Sequence, residues 1–231
     1  MTYHTNPRSI DHMARPLYNL LITVLTPLFV LRLFYKSLRE PHYRRQWWRR
    51  FALGLPARTR PGEGLIWVHA VSVGELLAVA PLIERLLTEW PDKAVLVTNT
   101  TPTGSAQAQK LFGDRVEHTW FPFDAPLVTG AFIRHWDPQL IVMVETEIWP
   151  NLLMSAKDHS VPVALVNARL SARSARGYAR LGSLTTQALN DFDLIACQTT
   201  EDFRRRPKIG ADPAAMQAVG SSSFASALPA R

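Results

Sequence analysis

The sequence predicts an α/β domain built on a parallel sheet, preceded by an apolar N-terminal helix. Three observations carry that prediction. From residue 65 onward, strand-like and helix-like segments alternate, which implies parallel strands joined by right-handed crossovers. The strand-like segments read as continuous apolar runs, as expected when helices cover both faces of a sheet. Upstream, residues 17–35 are apolar apart from Asn19, Thr23, Thr26, Pro27 and Arg32, and a dense basic stretch follows them.

The elements follow in order. Residues 65–71 read as a strand and 75–89 as a helix closed by Pro91. Residues 94–99 form the next strand, and a helix runs through Gln107 to Phe112. A short strand at 116–119 leads to a helix over 125–136, ended by Asp137-Pro138. Strand 140–144 precedes helix 149–159, strand 161–166 precedes helix 174–190, and 194–197 is the last strand. Residues 58–64, rich in Gly and Pro, read as a linker. The chain thus divides into a membrane segment with its basic flank (1–60), an α/β domain (61–220) and a small, polar tail (221–231) with a disordered composition.

Charge is unevenly spread. Residues 1–60 hold 11 Lys and Arg against 2 Asp and Glu, a formal +9, while residues 61–231 hold 15 against 17, a formal −2. The basic character therefore belongs to the N-terminal segment. This argues against a nucleic-acid-binding face on the domain and suits an anionic membrane surface. The apolar run at 20–31 supplies about two-thirds of the ~20 residues that a spanning helix needs. Arg32, Lys36, Arg39, Arg44, Arg45, Arg49 and Arg50 follow, with Trp47 and Trp48 among them, which places that side in the cytoplasm. Both a signal anchor and a monotopic helix fit, as does a basic amphipathic helix packed on its own domain. Cys197 is the one cysteine, so no intramolecular disulfide forms.

Candidate site residues cluster at the predicted C-terminal ends of the strands, where open α/β sheets bind ligands. Ser72-Val73-Gly74-Glu75 follows the first strand. Gly74 allows a tight turn and leaves room beside the Glu75 carboxylate, which suits a general base. Ser72-x-x-Glu75 is equally a capping box. Thr98 to Gly104, with Thr101 and Thr103, is a hydroxyl-rich loop opening a helix. Phe121-Pro122-Phe123-Asp124 follows the third strand, and Glu145-Thr146-Glu147 the fourth. Thr146 as a helix cap, with both acids serving the helix dipole, is the plain alternative there. Asn167-Ala168-Arg169 follows the fifth strand; Arg169 either grips an anion in bidentate fashion or belongs to a surface run with Arg173, Arg176 and Arg180. The set suits a polyhydroxylated or anionic ligand. His69 and His118 lack partners at metal-ligand spacing, so no metal is expected. GxGxxG and Walker A patterns are absent.

Together, His69–Glu75 (HAVSVGE), Thr98–Ser105 (TNTTPTGS), Phe121–Asp124 (FPFD), Glu145–Leu153 (ETEIWPNLL) and Asn167–Ser174 (NARLSARS) resemble the 3-deoxy-D-manno-octulosonic acid (Kdo) transferases of lipopolysaccharide assembly. The resemblance runs from about residue 17 to about 221. It implies the N-terminal, Rossmann-like half of a GT-B glycosyltransferase behind a membrane anchor, at the cytoplasmic face of the inner membrane. It further implies transfer of Kdo from CMP-Kdo to a lipid A precursor with inversion, and no cofactor beyond the donor. By resemblance Glu75 is the base and Glu145 the second essential carboxylate. Ser72, Gly74, Thr101, Thr103, Gly104, Asn167 and Arg169 are the expected substrate contacts. The phosphorylated lipid faces the basic segment, with anionic membrane lipids as further partners.

Departures are expected too. Family members run to about twice this length, and their donor domain is absent here. A family lysine falls at Ser223, and Arg204-Arg205-Arg206-Pro207 replaces an apolar helix end, with Pro207 stopping the helix. The alternative to an active transferase is a truncated, inactive, membrane-attached lipid-binding module.

Overall fold

A computed structural model describes residues 14–60 and 62–219. Ser223 and the 221–231 tail lie outside the described residues. The first element is α1 (Ala14–Ser37). The α/β part then runs β1 (Gly64–His69), α2 (Val73–Glu89), β2 (Lys93–Asn99), α3 (Pro102–Phe112), β3 (Glu117–Trp120), α4 (Pro126–Trp136), β4 (Pro138–Val144), α5 (Pro150–Asp158), β5 (Val163–Ala168), α6 (Ala172–Ala179), α7 (Ser183–Asn190), β6 (Leu194–Cys197), α8 (Thr200–Arg205) and β7 (Met216–Ala218).

All seven strands are parallel, in the order β3-β2-β1-β4-β5-β6-β7. The order reverses between β1 and β4, where the chain crosses from one half of the sheet to the other. The crevice above that reversal is the ligand-binding position of a doubly wound sheet. Successive side chains of β1 feed opposite cores. Leu65 and Trp67 join Phe132, Trp136, Leu152 and Leu189 on one face. Ile66, Val68 and Ala70 join Leu76, Ile83 and Phe112 on the other. The continuous apolar runs of the strands follow from this two-sided burial.

Two expectations need correction. The helix expected over 174–190 is two helices, because Gly182 takes φ 52° and ψ −122° between them. That conformation is closed to most side chains and open to glycine. Strand β7 was not anticipated; three residues with one buried, Met216, carry too little pattern to read. Pro207 falls two residues past the end of α8, in a 3-10 turn at Arg206–Ile209, so the helix stops there as expected.

Helix α1 has 24 residues, about 36 Å of rise, enough to cross a ~30 Å hydrocarbon core. Yet it lies against the domain at several points along its length. Arg15 bonds Asp191 at 3.2 Å, Tyr18 donates to Asp124 at 2.6 Å, Phe29 stacks on Phe123 and Phe34 meets Trp47 edge-on. Its outer face leaves Leu17, Leu20, Val24, Leu28 and Leu31 exposed. The chain between α1 and β1 is also tied down. Buried Arg50 donates to Thr100 O at 2.9 Å, and Thr59 donates to the Glu117 carboxylate.

Candidate active site

Glu75 lies in the first turn of α2, directly after β1. Its Oε2 accepts from Val71 N–H at 2.8 Å and its Oε1 from the Ser72 hydroxyl at 3.3 Å. The side chain therefore does part of a capping box's work, with one difference: the backbone partner is Val71, and Ser72 Oγ caps no helix N–H. Burial pushes the Glu75 carboxyl up; the Val71 N–H pulls it back, and the nearby Glu145 charge raises it further. Gly74 is helical, without the positive φ of a special turn. A Cβ there would meet only Ser72 Oγ, at 4.0 Å, so the space beside Glu75 is open as expected while the tight-turn role is not.

Glu145 and Glu147 leave β4 on the other side of the strand reversal. Glu145 has φ 62°, and its N–H donates to Val166 O at 2.9 Å. A left-handed glutamate costs ~1–3 kcal/mol and marks a position held by its surroundings. Arg169 Nη1 lies 3.7 Å from Glu145 Oε1. Glu147 accepts from Trp149 Nε1 at 2.7 Å. Its pKa is pushed up to about 7, first by burial, then by the charge of Glu75, with Glu145 adding to it against the Trp149 bond. Three carboxylates thus feel one another across the β1–β4 crevice.

The cap proposed for Glu145-Thr146-Glu147 does not exist. Helix α5 begins at Pro150 and carries no acid in its first turn. Its first N–H groups, of Asn151 and Leu152, donate instead to Asp124 at 3.2 and 2.8 Å. Asp124 comes from the loop after β3 and also holds Tyr18 of α1. With that cap absent, Glu145 and Glu147 remain candidate site groups.

The remaining expected contacts divide. Thr101 Oγ1 caps α3 by accepting from Gly104 N–H at 3.1 Å and donates to Val71 O at 3.2 Å. Val71 therefore joins the Thr101 loop to the Glu75 carboxylate. A Cβ on Gly104 would sit 3.0 Å from Thr101 Oγ1 and 3.3 Å from Val71 O, a tight fit that glycine avoids. Thr103 is exposed, its hydroxyl 3.4 Å from that of Thr101. Asn167, at φ 51°, lies within β5 where the pairing register with β6 shifts, not in a loop after the strand. Such bulges re-aim side chains beside sites.

Arg169 is exposed, and the loop carrying it is clamped. Leu170 N–H donates to Asp202 at 2.8 Å, Arg205 donates to Leu170 O at 3.1 Å and buried Arg206 to Arg169 O at 3.2 Å. This clamp was missed at the level of sequence, where the arginines read only as a departure. Arg169, Glu145, Ser171 and Thr199 line an open polar cleft of about 450 Å³. A separate apolar cavity of about 250 Å³ is walled by Ile22 and Phe29 of α1 with Phe121, Phe123 and Trp149.

His69 is fully buried, stacked on Phe121 at 3.7 Å, with Nδ1 3.1 Å from Thr98 O. A carbonyl only accepts, so Nδ1 carries the proton. Burial lowers its pKa to about 3, which keeps the ring neutral. Its Nε2 stands 3.9 Å from Glu147 Oε2. Among the described residues, no group of three or more His, Cys, Asp or Glu side chains is arranged to hold a metal ion.

Fold and site together define a Rossmann-like α/β domain of the GT-B glycosyltransferase kind, with carboxylates at the strand reversal. A family model described as 3-Deoxy-D-manno-octulosonic-acid transferase (kdotransferase) matches residues 45–226, and the chain belongs to that family. It is 37% identical to a 3-deoxy-D-manno-octulosonic acid transferase of Bordetella pertussis, over 94% of this chain and 51% of that protein. It is 32% identical to the enzyme of that name from Haemophilus influenzae, over 92% of this chain and 49% of that protein. The chain therefore spans about half the length of these relatives. Among solved structures, UDP-N-acetylglucosamine 2-epimerase from Neisseria meningitidis matches with TM-score 0.50 at 12% identity, over 70% of this chain and 47% of that one. HepE from Anabaena matches with TM-score 0.50 at 13% identity, over 68% and 44%. At such identities the likeness concerns the fold alone.

Proposed function

We propose that this chain supplies the acceptor-binding half of a Kdo transferase, which moves Kdo from CMP-Kdo to a lipid A precursor at the cytoplasmic face of the inner membrane. The observation that supports it best is the pairing of Glu75 after β1 with Glu145 after β4, across the strand reversal, in a member of this family.

The chemistry runs as follows. An acceptor hydroxyl gives its proton to Glu75 while its oxygen attacks the anomeric carbon of Kdo. The bond to CMP breaks, CMP leaves with the electron pair, and the configuration inverts. The Val71 N–H and Ser72 hydroxyl orient the Glu75 carboxylate, and burial makes it a stronger base than an exposed glutamate. Glu145 offsets positive charge developing on the sugar ring. Arg169 meets the Kdo carboxylate or a phosphate oxygen from the polar cleft. The apolar cavity beneath α1 takes part of the lipid, leaving its sugar at the carboxylates. No cofactor beyond the donor is invoked. Helix α1 holds the domain on the membrane with its apolar outer face.

The test uses the chain alone and the chain fused to the C-terminal half of the Bordetella pertussis relative. Each is mixed with lipid A precursor and CMP-Kdo, and the lipid mass is followed. A Kdo increment that drops roughly 10²–10⁴-fold in Glu75→Gln supports the reading. An unchanged rate in Glu75→Gln removes Glu75 as the base. No increment from either protein, with the full-length relative active alongside, removes transfer as the function.

A further inference from the structure

A second pocket, of about 370 Å³, lies between the segment after α1 and the α3–β3 side of the domain. Arg45, Gln46 and Arg49 form one wall; Ser105, Gln109 and His118 face them. No carboxylate lines it. Among the described residues, neither arginine has an ion-pair partner, whereas Arg15, Arg60, Arg85, Arg115, Arg169 and Arg205 each have one.

Two buried atoms of the lining residues lack any hydrogen-bond partner. One is Arg49 Nε; the other is Oγ1 of Thr119, a residue only 2% exposed. Buried polar groups are normally paired, and leaving one unpaired is costly. The walls are also held in place. Trp120 Nε1 donates to Arg45 O at 2.9 Å, and the Arg50 guanidinium lies over the Trp120 ring at 4.5 Å. His118 Nε2 lies 3.1 Å from Asn99 Oδ1, and the Asn99 amide donates to Ala70 O. The ring therefore carries its proton on Nε2.

We propose that this pocket binds a phosphate monoester, gripped by Arg45 and Arg49 and seated against Thr119. Charge selects an anion, since two guanidiniums meet no acid. Donor number selects the monoester. The lining residues carry two guanidiniums, two carboxamides and two hydroxyls, and a monoester presents three oxygens where a diester presents two. Burial, with the Arg49 charge adding to it, holds His118 down to about 4, so the ring is a neutral hydrogen-bonding partner rather than a third cation. The pocket opens beside the residues that follow α1, including Trp48, which is 43% exposed. Neither Glu75 nor Glu145 lines the pocket, so this proposal stands apart from the transfer reading.

The test uses the full chain in detergent micelles, titrated calorimetrically with inorganic phosphate. Binding is expected, weakened roughly tenfold or more by Arg45→Gln and by Arg49→Gln, and unchanged by Glu75→Gln. Arg45 is exposed, so its replacement leaves the fold intact. A second arm compares phosphatidylcholine vesicles carrying phosphatidic acid with vesicles carrying phosphatidylglycerol at matched surface charge. Preference for phosphatidic acid that Arg45→Gln abolishes assigns the pocket to a lipid-borne monoester. Phosphate binding without that preference assigns it to a soluble one. No phosphate binding by the wild type, or binding by both arginine variants as tight as that of the wild type, overturns the proposal.

Discussion

Glu147 sits where burial and the charge of Glu75 both oppose its ionisation, so its carboxyl rises from the ordinary 4.5 to about 7. A raised carboxyl binds its proton more tightly when folded than when unfolded. Its contribution to stability is therefore full below about 4.5 and is lost as pH rises through about 7. Glu147→Gln keeps an acceptor for Trp149 and removes the charge. It should unfold like the wild type at pH 5 and be on the order of 1–3 kcal/mol more stable at pH 8, measured by denaturant midpoints. Equal stabilities at pH 8 would mean the carboxylate is solvated, and the crevice wetter than its geometry. For Glu75 the raised pKa has a kinetic reading: transfer should fall as pH drops through a value above the usual carboxylate range, ~4.3. Sequence spacing brought Glu75 and Glu145 to one edge of the sheet because each follows an apolar strand. It gave Glu147 no more weight than a helix-dipole acid. What distinguishes Glu147 is Glu75, 72 positions earlier, and only the fold brings their charges together.

At the scale of elements, the longer strands were legible because burial on both faces leaves an apolar run, whereas β7, with one buried residue, leaves none. Helix starts were less so. The first N–H groups of α5 are satisfied not by a neighbouring residue but by Asp124, 27 positions upstream of Asn151. No local pattern carries that information. Asp124→Ala removes bonds to Asn151, Leu152 and Tyr18 together, and should lower unfolding free energy by about 2–4 kcal/mol. Tyr18→Phe removes one of the three and should cost about 1 kcal/mol. If the two variants cost the same, the α5 cap contributes nothing and Asp124 serves only α1. Gly104 makes a second element-scale case. Its missing Cβ lets α3 approach Val71 O, the carbonyl of the residue whose N–H orients Glu75. Gly104→Ala should cost about 1–3 kcal/mol by overpacking. The break at Gly182 was readable in principle, since glycine inside a helical pattern is a breaker signal.

Over the whole molecule, charge and hydrophobicity are segregated in the same direction. The formal +9 lies in residues 1–60, and so does the helix whose outer face leaves Leu20, Val24 and Leu28 in solvent. Contacts from Arg15 to Phe29 lay that helix along the domain, which favours a helix lying on the membrane over one leaving the domain to cross it. On the proposed membrane reading two forces would hold the chain on a bilayer, and they separate experimentally. Attraction of the basic segment to anionic lipid is screened by salt over about 8–10 Å at physiological strength; insertion of the apolar face is not. Binding to phosphatidylglycerol-rich vesicles should therefore weaken as salt rises, down to a floor set by neutral phosphatidylcholine vesicles. Val24→Asp with Leu28→Asp should remove that floor. Two acids on the lipid-facing side cost roughly 2.5–3.5 kcal/mol each at full depth, a loss of about a thousandfold or more in vesicle affinity. Both positions are exposed, so the domain should keep its folded stability in detergent. Unchanged affinity for neutral vesicles would show that this face meets protein rather than lipid, and that the basic segment alone draws the chain to the surface.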